Sequence, residues 1–113
     1  MSTVWFVTSA DASRTVGDVP TYIMLSTLGP DGAARVVDQP ERIREVKEEV
    51  EAMGVTVIAQ YATLGQYDFI NIIEAPDEKA MARVAMKLAS RGTLKTLTLT
   101  AIPVEEFIAA LKQ

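Results

Sequence analysis

The sequence of 113 residues predicts one α+β domain with the element order βαββαβ and a short closing helix. Three observations predict this fold. Two runs rich in β-branched and aromatic residues flank Gly65, which is typical of a β-hairpin. Two other segments repeat apolar residues at helical spacing, and a run near the C-terminus alternates leucine with threonine. Together they indicate a four-stranded sheet with two principal helices.

The first part of the domain is predicted to be a strand followed by a helical region. Residues 21–27 form an apolar strand, which the turn-forming residues 29–32 end. Residues 32–37 can begin the helical region, but Pro40 limits its continuity. We expect the continuous helix at residues 41–53, where apolar side chains recur every three or four positions.

The hairpin and the second long helix follow. Residues 55–62 and 67–73 are the two hairpin strands. Asp77 is the expected N-cap of the helix, and Gly92 lies beyond its end. The side chains that this helix is expected to bury are Met81, Val84, Ala85 and Leu88.

The C-terminal part supplies the fourth strand and a terminal helix. Residues 94–101 alternate in the way of a strand with two different faces. Pro103 suits the first turn of a helix, whose inward side chains are expected to be Val104, Phe107, Ile108 and Leu111. This element order is that of the ferredoxin-like fold, in which both long helices cover one face of an antiparallel sheet.

The other face of the sheet is predicted to be free of helices. Alternation assigns to the helix side Ile23, Leu25, Val57 and Ala59 or their neighbours, Ile70, Ile72, Leu97 and Leu99. It assigns to the free side Tyr22, Met24, Ser26, Ile58, Gln60, Phe69, Asn71, Ile73, Thr96 and Thr98. This second set is too apolar for water and too polar for an ordinary core. We therefore expect a second copy of the chain to cover it and to enclose a partly polar cavity.

Six separated segments also carry a resemblance to a known family: residues 20–26, 40–43, 65–69, 74–77, 90–93 and 101–103. In sequence and order they are similar to the GYD domain family, named for a Gly-Tyr-Asp signature that Gln66 interrupts here. The resemblance spans about residues 20–110. It implies a ferredoxin-like fold of the dimeric α+β barrel group, with a biochemical function that is largely unassigned.

The amino-acid composition excludes several kinds of functional site. The chain has no cysteine and no histidine, which excludes disulfides, thiolate nucleophiles, an imidazole base and the usual zinc and haem ligands. We expect no cofactor and no metal. The net charge of −4 does not favour nucleic acid as a partner. No apolar run is long enough to span a bilayer, the start does not resemble a signal peptide, and the lack of cysteine fits a cytoplasmic protein.

Tyr67 and Asp68 are weak candidates for catalysis, and Asp68 has a structural alternative. The pair could transfer protons as acid and base. An aspartate beside a turn more often accepts hydrogen bonds from backbone amides, and we favour that role for Asp68.

The candidate ligand-binding residues are Tyr22, Gln60, Asn71, Thr96, Thr98 and Arg91. Asn71 either fixes a ligand or locks the register of an interface as a buried amide, and both interpretations stay open. Arg91, within residues 90–93, could belong to an anion-binding corner. The favoured alternative is that it offsets the dipole of the preceding helix. The threonines could line a cavity or simply favour a strand.

The chain is predicted to divide at residue 19. Residues 1–19 lie outside the resemblance and form an N-terminal extension, either an edge strand or a flexible arm. Residues 20–113 form the domain itself.

Two classes of function follow from these residues. The preferred one is a non-catalytic homodimer or higher homo-oligomer that binds a small molecule or a partner protein in the cavity on the helix-free face. The alternative is a small cofactor-independent enzyme, of isomerase or oxygenase type, in which Tyr67 or Tyr22 acts with Asp68. A closed sheet-to-sheet interface without a cavity would instead indicate a purely structural assembly protein.

Overall fold

The computed structural model describes residues 19–113, so the predicted extension lies outside the described residues except for its last position. The elements, in chain order, are β1 (Thr21–Leu28), α1 (Pro30–Asp38), α2 (Arg42–Glu51), β2 (Thr56–Ala62), β3 (Phe69–Glu74), α3 (Glu78–Ala89), β4 (Leu94–Ala101) and α4 (Val104–Leu111). The four strands form one antiparallel sheet in the order β2-β3-β1-β4. The predicted α+β class and the ferredoxin-like arrangement are confirmed.

β1 lies in the middle of the sheet, and its register aligns three strands. Met24 stands opposite Asn71 of β3 and Thr98 of β4. Leu25, the next residue, stands opposite Ile70 and Leu97. Because neighbouring positions point to opposite faces, these two rows belong to different sides of the sheet.

The predicted first helical region consists of two helices. The residues expected to form a turn, 29–32, instead begin α1: Gly29 is its N-cap, and Pro30 occupies the first turn. A proline is tolerated there because its missing N–H would have no intrahelical partner. Pro40 lies between α1 and α2, as its effect on helix continuity predicts.

The hairpin is confirmed, with a longer turn than the sequence suggests. The Thr63 amide donates to the Asp68 carbonyl at 2.8 Å, and the Thr63 hydroxyl donates to the Tyr67 carbonyl at 2.7 Å. Gly65 has a φ of 105°, which a residue with a side chain rarely adopts. Tyr67 and Asp68 therefore close the turn, and β3 begins only at Phe69.

α3 begins and packs as predicted. The Asp77 carboxylate accepts a hydrogen bond from the Ala80 amide at 2.9 Å, which satisfies one of the free N–H groups of the first turn. Met81, Val84 and Leu88 are buried, and Ala85 is partly buried against them. α3 thus supplies most of the helical side of the core.

α4 forms where expected, but the prediction that its apolar side chains pack inward is wrong. None of its residues is buried, and the exposed fraction of Phe107 is 50%. The periodicity of this segment specifies a helix with an apolar side, but it does not specify which surface covers that side. No helix in the described part of the chain is long and apolar enough to cross a membrane.

The assignment of the two sheet faces is inverted for β1, β3 and β4, whereas Val57 of β2 packs against the core on the helix side, as predicted. Tyr22, Met24 and Ile73 lie under the helices, and Met24 and Ile73 are each only 1% exposed. They pack in one core with Val50, Val55, Ala75, Ala80, Met81, Val84 and Leu88. Leu97 and Leu99 lie on the other face and are 46% and 44% exposed. The reason is that β1 and β3 are apolar at both odd and even positions, so alternation alone does not identify the covered side.

Candidate functional site

Two surfaces of the domain are candidates for function. The first, which we call the open face, is the side of the sheet away from the core helices. The second, which we call the helix-side cavity, is a space of about 230 Å³ between the sheet and the segment α1–α2. A cavity on the helix-free face, enclosed between two copies of the chain, stays a prediction, whereas the helix-side cavity lies on the opposite side of the sheet.

The floor of the helix-side cavity is the covered face of the sheet. Asn71 of β3 stands beside Gln60 of β2 and Met24 of β1, which are its partners in register. Phe69 and Ile73, two positions either side of Asn71, point the same way and also line the space. The floor is therefore mainly apolar, with the half-buried Asn71 amide on it and the exposed Gln60 amide at its edge on β2.

The roof of the cavity comes from α1 and α2, which a glycine holds close to the sheet. A Cβ atom on Gly32 would lie 2.3 Å from the Thr93 carbonyl oxygen, so only glycine fits there without a shift of the backbone. The Gly29 amide donates to the same carbonyl at 2.9 Å. The hydrogen bond holds the start of α1 against Thr93, the residue before β4, and the missing side chain of Gly32 permits this close approach.

Four basic residues line the cavity, and no acidic residue does: Arg35, Arg42, Lys47 and Arg91. Two of the four have carboxylate partners outside the lining. Arg42 pairs with Glu45 at 2.7 Å, and Arg91 pairs with Glu49. The hydrogen bond from Arg91 holds the pKa of Glu49 below its ordinary value, against a smaller opposing effect of burial.

Arg35 and Lys47 differ from the other two basic residues. Within residues 19–113, neither side chain forms an ion pair or a side-chain hydrogen bond. Arg35 is exposed at the last turn of α1, and Lys47 is half-buried on α2. The cavity therefore has two cationic groups whose charge no carboxylate of the described chain offsets at close range.

The structure brings together three of the six predicted ligand-binding residues. Gln60, Asn71 and Arg91 line the helix-side cavity. Arg91 also carries out a structural task that the sequence did not suggest, since its ion pair joins the end of α3 to α2. Their convergence depends on the fold, because these three residues lie on different elements.

The other three predicted ligand-binding residues, Tyr22, Thr96 and Thr98, do not line the cavity. Tyr22 is buried in the core, and burial together with the carboxylates of Glu78 and Asp77 raises its pKa. Thr98 points to the covered face, where its hydroxyl oxygen is buried without a hydrogen-bond partner among the described residues.

Asp68 has the structural role that the sequence favours. Its carboxylate Oδ2 accepts a hydrogen bond from the Leu28 amide at 2.7 Å, and its own amide donates to the Ser26 carbonyl at 2.8 Å. Asp68 thus joins the hairpin turn to the end of β1. Neither Tyr67 nor Asp68 lines the helix-side cavity.

Sequence reasoning missed Arg35, Arg42 and Lys47 as lining residues. The charged run of α2 is typical of a solvated helix face, and such a run does not indicate a binding site. The pattern that distinguishes Arg42 and Lys47 is that they flank Ile43 and Val46, which also line the cavity. That pattern indicates the edge of a buried stripe, but it does not by itself predict a binding site.

The open face carries aliphatic side chains on three adjacent strands, β3, β1 and the edge strand β4. Register and alternation place the following side chains on it: Ile23, Leu25, Ile70, Ile72, Leu97 and Leu99. The two leucines of β4 are exposed, and the other four side chains are partly exposed. The described residues contain no cluster of acidic side chains that could hold a metal ion.

Fold and sequence together define the class of this protein. The family model of the GYD domain matches residues 22–111, so the chain belongs to the GYD domain family, as the resemblance implies. A protein of Thermus thermophilus is 57% identical over 95 residues, which cover 83% of this chain and 100% of that protein. That relative is named glutamine synthetase and cystathionine beta-lyase binding protein. No solved structure matches the chain significantly.

Proposed function

We propose that this protein is a non-catalytic, self-associating module that binds other proteins, and that its partners are glutamine synthetase and cystathionine beta-lyase. The observation that carries the proposal is the similarity to the Thermus protein, which extends over the whole length of that relative. We also propose a cytoplasmic location, which the lack of cysteine favours.

The open face supports the self-association in this proposal. Six Ile and Leu side chains lie together on three adjacent strands of an antiparallel sheet, with Leu97 and Leu99 of the edge strand nearly half exposed. A contiguous apolar patch of this kind is typical of an interaction surface. A second copy of the chain has an identical open face, and a two-fold axis would pack the open faces of the two copies against each other. We therefore propose that the open face is the homodimer interface, in place of the polar face predicted from sequence.

The site residues support binding and not catalysis. Asp68 is held by the Leu28 amide at 2.7 Å, and it lies away from the cavity. Tyr22, the other tyrosine considered for proton transfer, is in the core. The geometry therefore does not favour an isomerase or oxygenase that uses these groups, because an acid and a base must reach the same substrate.

A binding measurement with purified enzymes tests the proposed function. The full chain is immobilised, and glutamine synthetase and cystathionine beta-lyase from the same organism are passed over it in turn. We expect saturable binding of at least one of the two, and none of an unrelated oligomeric enzyme of similar charge. If neither enzyme binds saturably, the proposed partners are wrong.

A matched pair of variants then locates the binding surface. Leu97→Lys places a charge on the open face, whereas Met86→Lys places one on the exposed side of α3, where Met86 is 71% exposed. If enzyme binding requires the assembled homodimer, Leu97→Lys weakens it and Met86→Lys leaves it unchanged. Equal binding by both variants would show that partner binding does not depend on the open face.

A further inference from the structure

The helix-side cavity plays no part in the proposed binding of enzymes, and its size suits a small molecule. Its volume is about 230 Å³. Pockets for drug-sized ligands have volumes of roughly 300–1,000 Å³. The cavity is smaller than these pockets, so it suits a metabolite of modest size. The sheet forms one wall and α1 and α2 form the other, which gives a ligand two dissimilar surfaces to contact.

The positive charge of the lining residues favours an anionic ligand. The whole chain has a net charge of −4, yet the cavity is lined by four basic residues and by no aspartate or glutamate. The carboxylates of Glu45 and Glu49 neutralise Arg42 and Arg91. Arg35 and Lys47 have no such partner within residues 19–113, so an anionic group between α1 and α2 would gain two charge-assisted contacts without breaking an ion pair.

The floor of the cavity favours a ligand that has an apolar part in addition to its charged group. Met24, Phe69 and Ile73 offer an apolar surface under the basic residues. Asn71 is half-buried on this floor, and Gln60, its neighbour on β2, is exposed at the edge of the floor. Neither amide side chain forms a hydrogen bond within the described residues. Unused amides beside an apolar surface are suited to fix the orientation of a bound molecule.

From these three observations we propose that the helix-side cavity binds a small organic anion. Its carboxylate or phosphate group lies between Arg35 and Lys47, its apolar body rests on Phe69 and the neighbouring floor, and the Asn71 and Gln60 amides contact polar atoms of that body. The site is separate from the open face, so ligand binding and self-association use opposite sides of one sheet. This inference does not rest on the identity of the partner enzymes.

The test uses simple probes with the same aromatic body and different head groups. The full chain, labelled with ¹⁵N, is titrated with benzoate, with phenyl phosphate and with neutral benzyl alcohol, and the backbone amide resonances are followed. We expect at least one anion to shift the resonances of Gln60, Phe69 and Asn71 saturably. Benzyl alcohol should bind at least about tenfold more weakly, because it lacks the charge that Arg35 and Lys47 contact. Whichever anion binds better identifies the preferred head group.

Variants separate the cavity from nonspecific attraction. Arg35→Ala combined with Lys47→Ala should weaken anion binding by about tenfold or more, whereas Lys79→Ala combined with Arg83→Ala on α3 removes the same charge elsewhere and should have no effect. Thermal unfolding of each variant verifies that the fold is retained. The proposal is overturned if benzyl alcohol binds as well as the anions, if the shifts occur on the open face, or if neither anion shifts the floor resonances. It is equally overturned if both double variants weaken binding alike.

Discussion

Both faces of the sheet carry apolar side chains, and they differ in the polar side chains among them. Under the helices, Met24 and Ile73 share the face with Ser26, Asn71 and Thr98. On the open face, the central positions of β1, β3 and β4 are all isoleucine or leucine. The covered face tolerates polar side chains because it borders a cavity, whereas the open face has the uniform composition of a surface that another protein covers.

The largest difference between the faces should appear on truncation of two neighbouring isoleucines. Ile73→Ala on the covered face should lower the free energy of unfolding by about 2–5 kcal/mol at any protein concentration, because it leaves a cavity in the core. Ile72→Ala on the open face should cost less in the monomer, because its side chain is already partly exposed there. Urea unfolding at several protein concentrations measures both.

The comparison fails if the two variants behave alike. An equal loss of stability that is independent of concentration would mean that the open face is as well covered within one chain as the helix side is. An unfolding midpoint for Ile72→Ala that rises with concentration less steeply than that of the natural sequence would instead support an intermolecular interface.

A smaller effect, of opposite sign, is expected at Thr98. Its hydroxyl is buried on the covered face without a partner among the described residues, so Thr98→Val removes the cost of an unsatisfied polar atom and keeps the shape of the side chain. We expect the variant to be as stable as the natural protein or more stable by about 1 kcal/mol, measured by chemical unfolding. Thr98→Ser keeps the hydroxyl and serves as the control. A clear loss of stability in Thr98→Val would show that the hydroxyl has a partner.

The smallest effect concerns the ion pair beside the helix-side cavity. Because the hydrogen bond from Arg91 lowers the pKa of Glu49 in the folded state, the pair stabilises the fold at pH values above the unfolded pKa of Glu49. That contribution is lost as the pH falls through the lowered folded pKa. Glu49→Gln should therefore reduce stability at neutral pH by less than about 1 kcal/mol, since both side chains are partly exposed.

Unfolding as a function of pH checks this prediction. The difference between Glu49→Gln and the natural protein should shrink as the solution is acidified, and Glu48→Gln, which alters a neighbouring carboxylate without an ion pair in the described chain, should show no such trend. A difference that stays constant with pH would mean that the pair contributes through packing and not through charge.

Much of the fold could be predicted from the sequence because its signals are local. Gly65 specifies the hairpin, Asp77 the start of α3, and the leucine and threonine alternation the extent of β4. The structural role of Asp68 could be predicted for the same reason, since an aspartate beside a turn has backbone amides within reach.

What could not be predicted depends on distant contacts. β1 is apolar at Tyr22 and Met24 and equally at Ile23 and Leu25, so the packing of the helices, mainly α3, decides which pair is covered. The helix-side cavity combines residues from β2, β3, α1 and α2, and the close approach of Gly32 to Thr93 that positions α1 leaves no local pattern. The exposure of α4 likewise depends on whether another surface covers its apolar side, which its own sequence does not specify.

Sedimentation velocity of the full chain tests the central claim most directly, that a second copy covers the open face. The natural sequence should sediment as a species heavier than the 12.3 kDa monomer, and so should the control Met86→Lys. Leu97→Lys should sediment as a folded monomer, because a charged group cannot be buried between two aliphatic sheets without a large cost. A natural protein that remains monomeric at high concentration, or a Leu97→Lys variant that keeps the larger mass, would contradict the account.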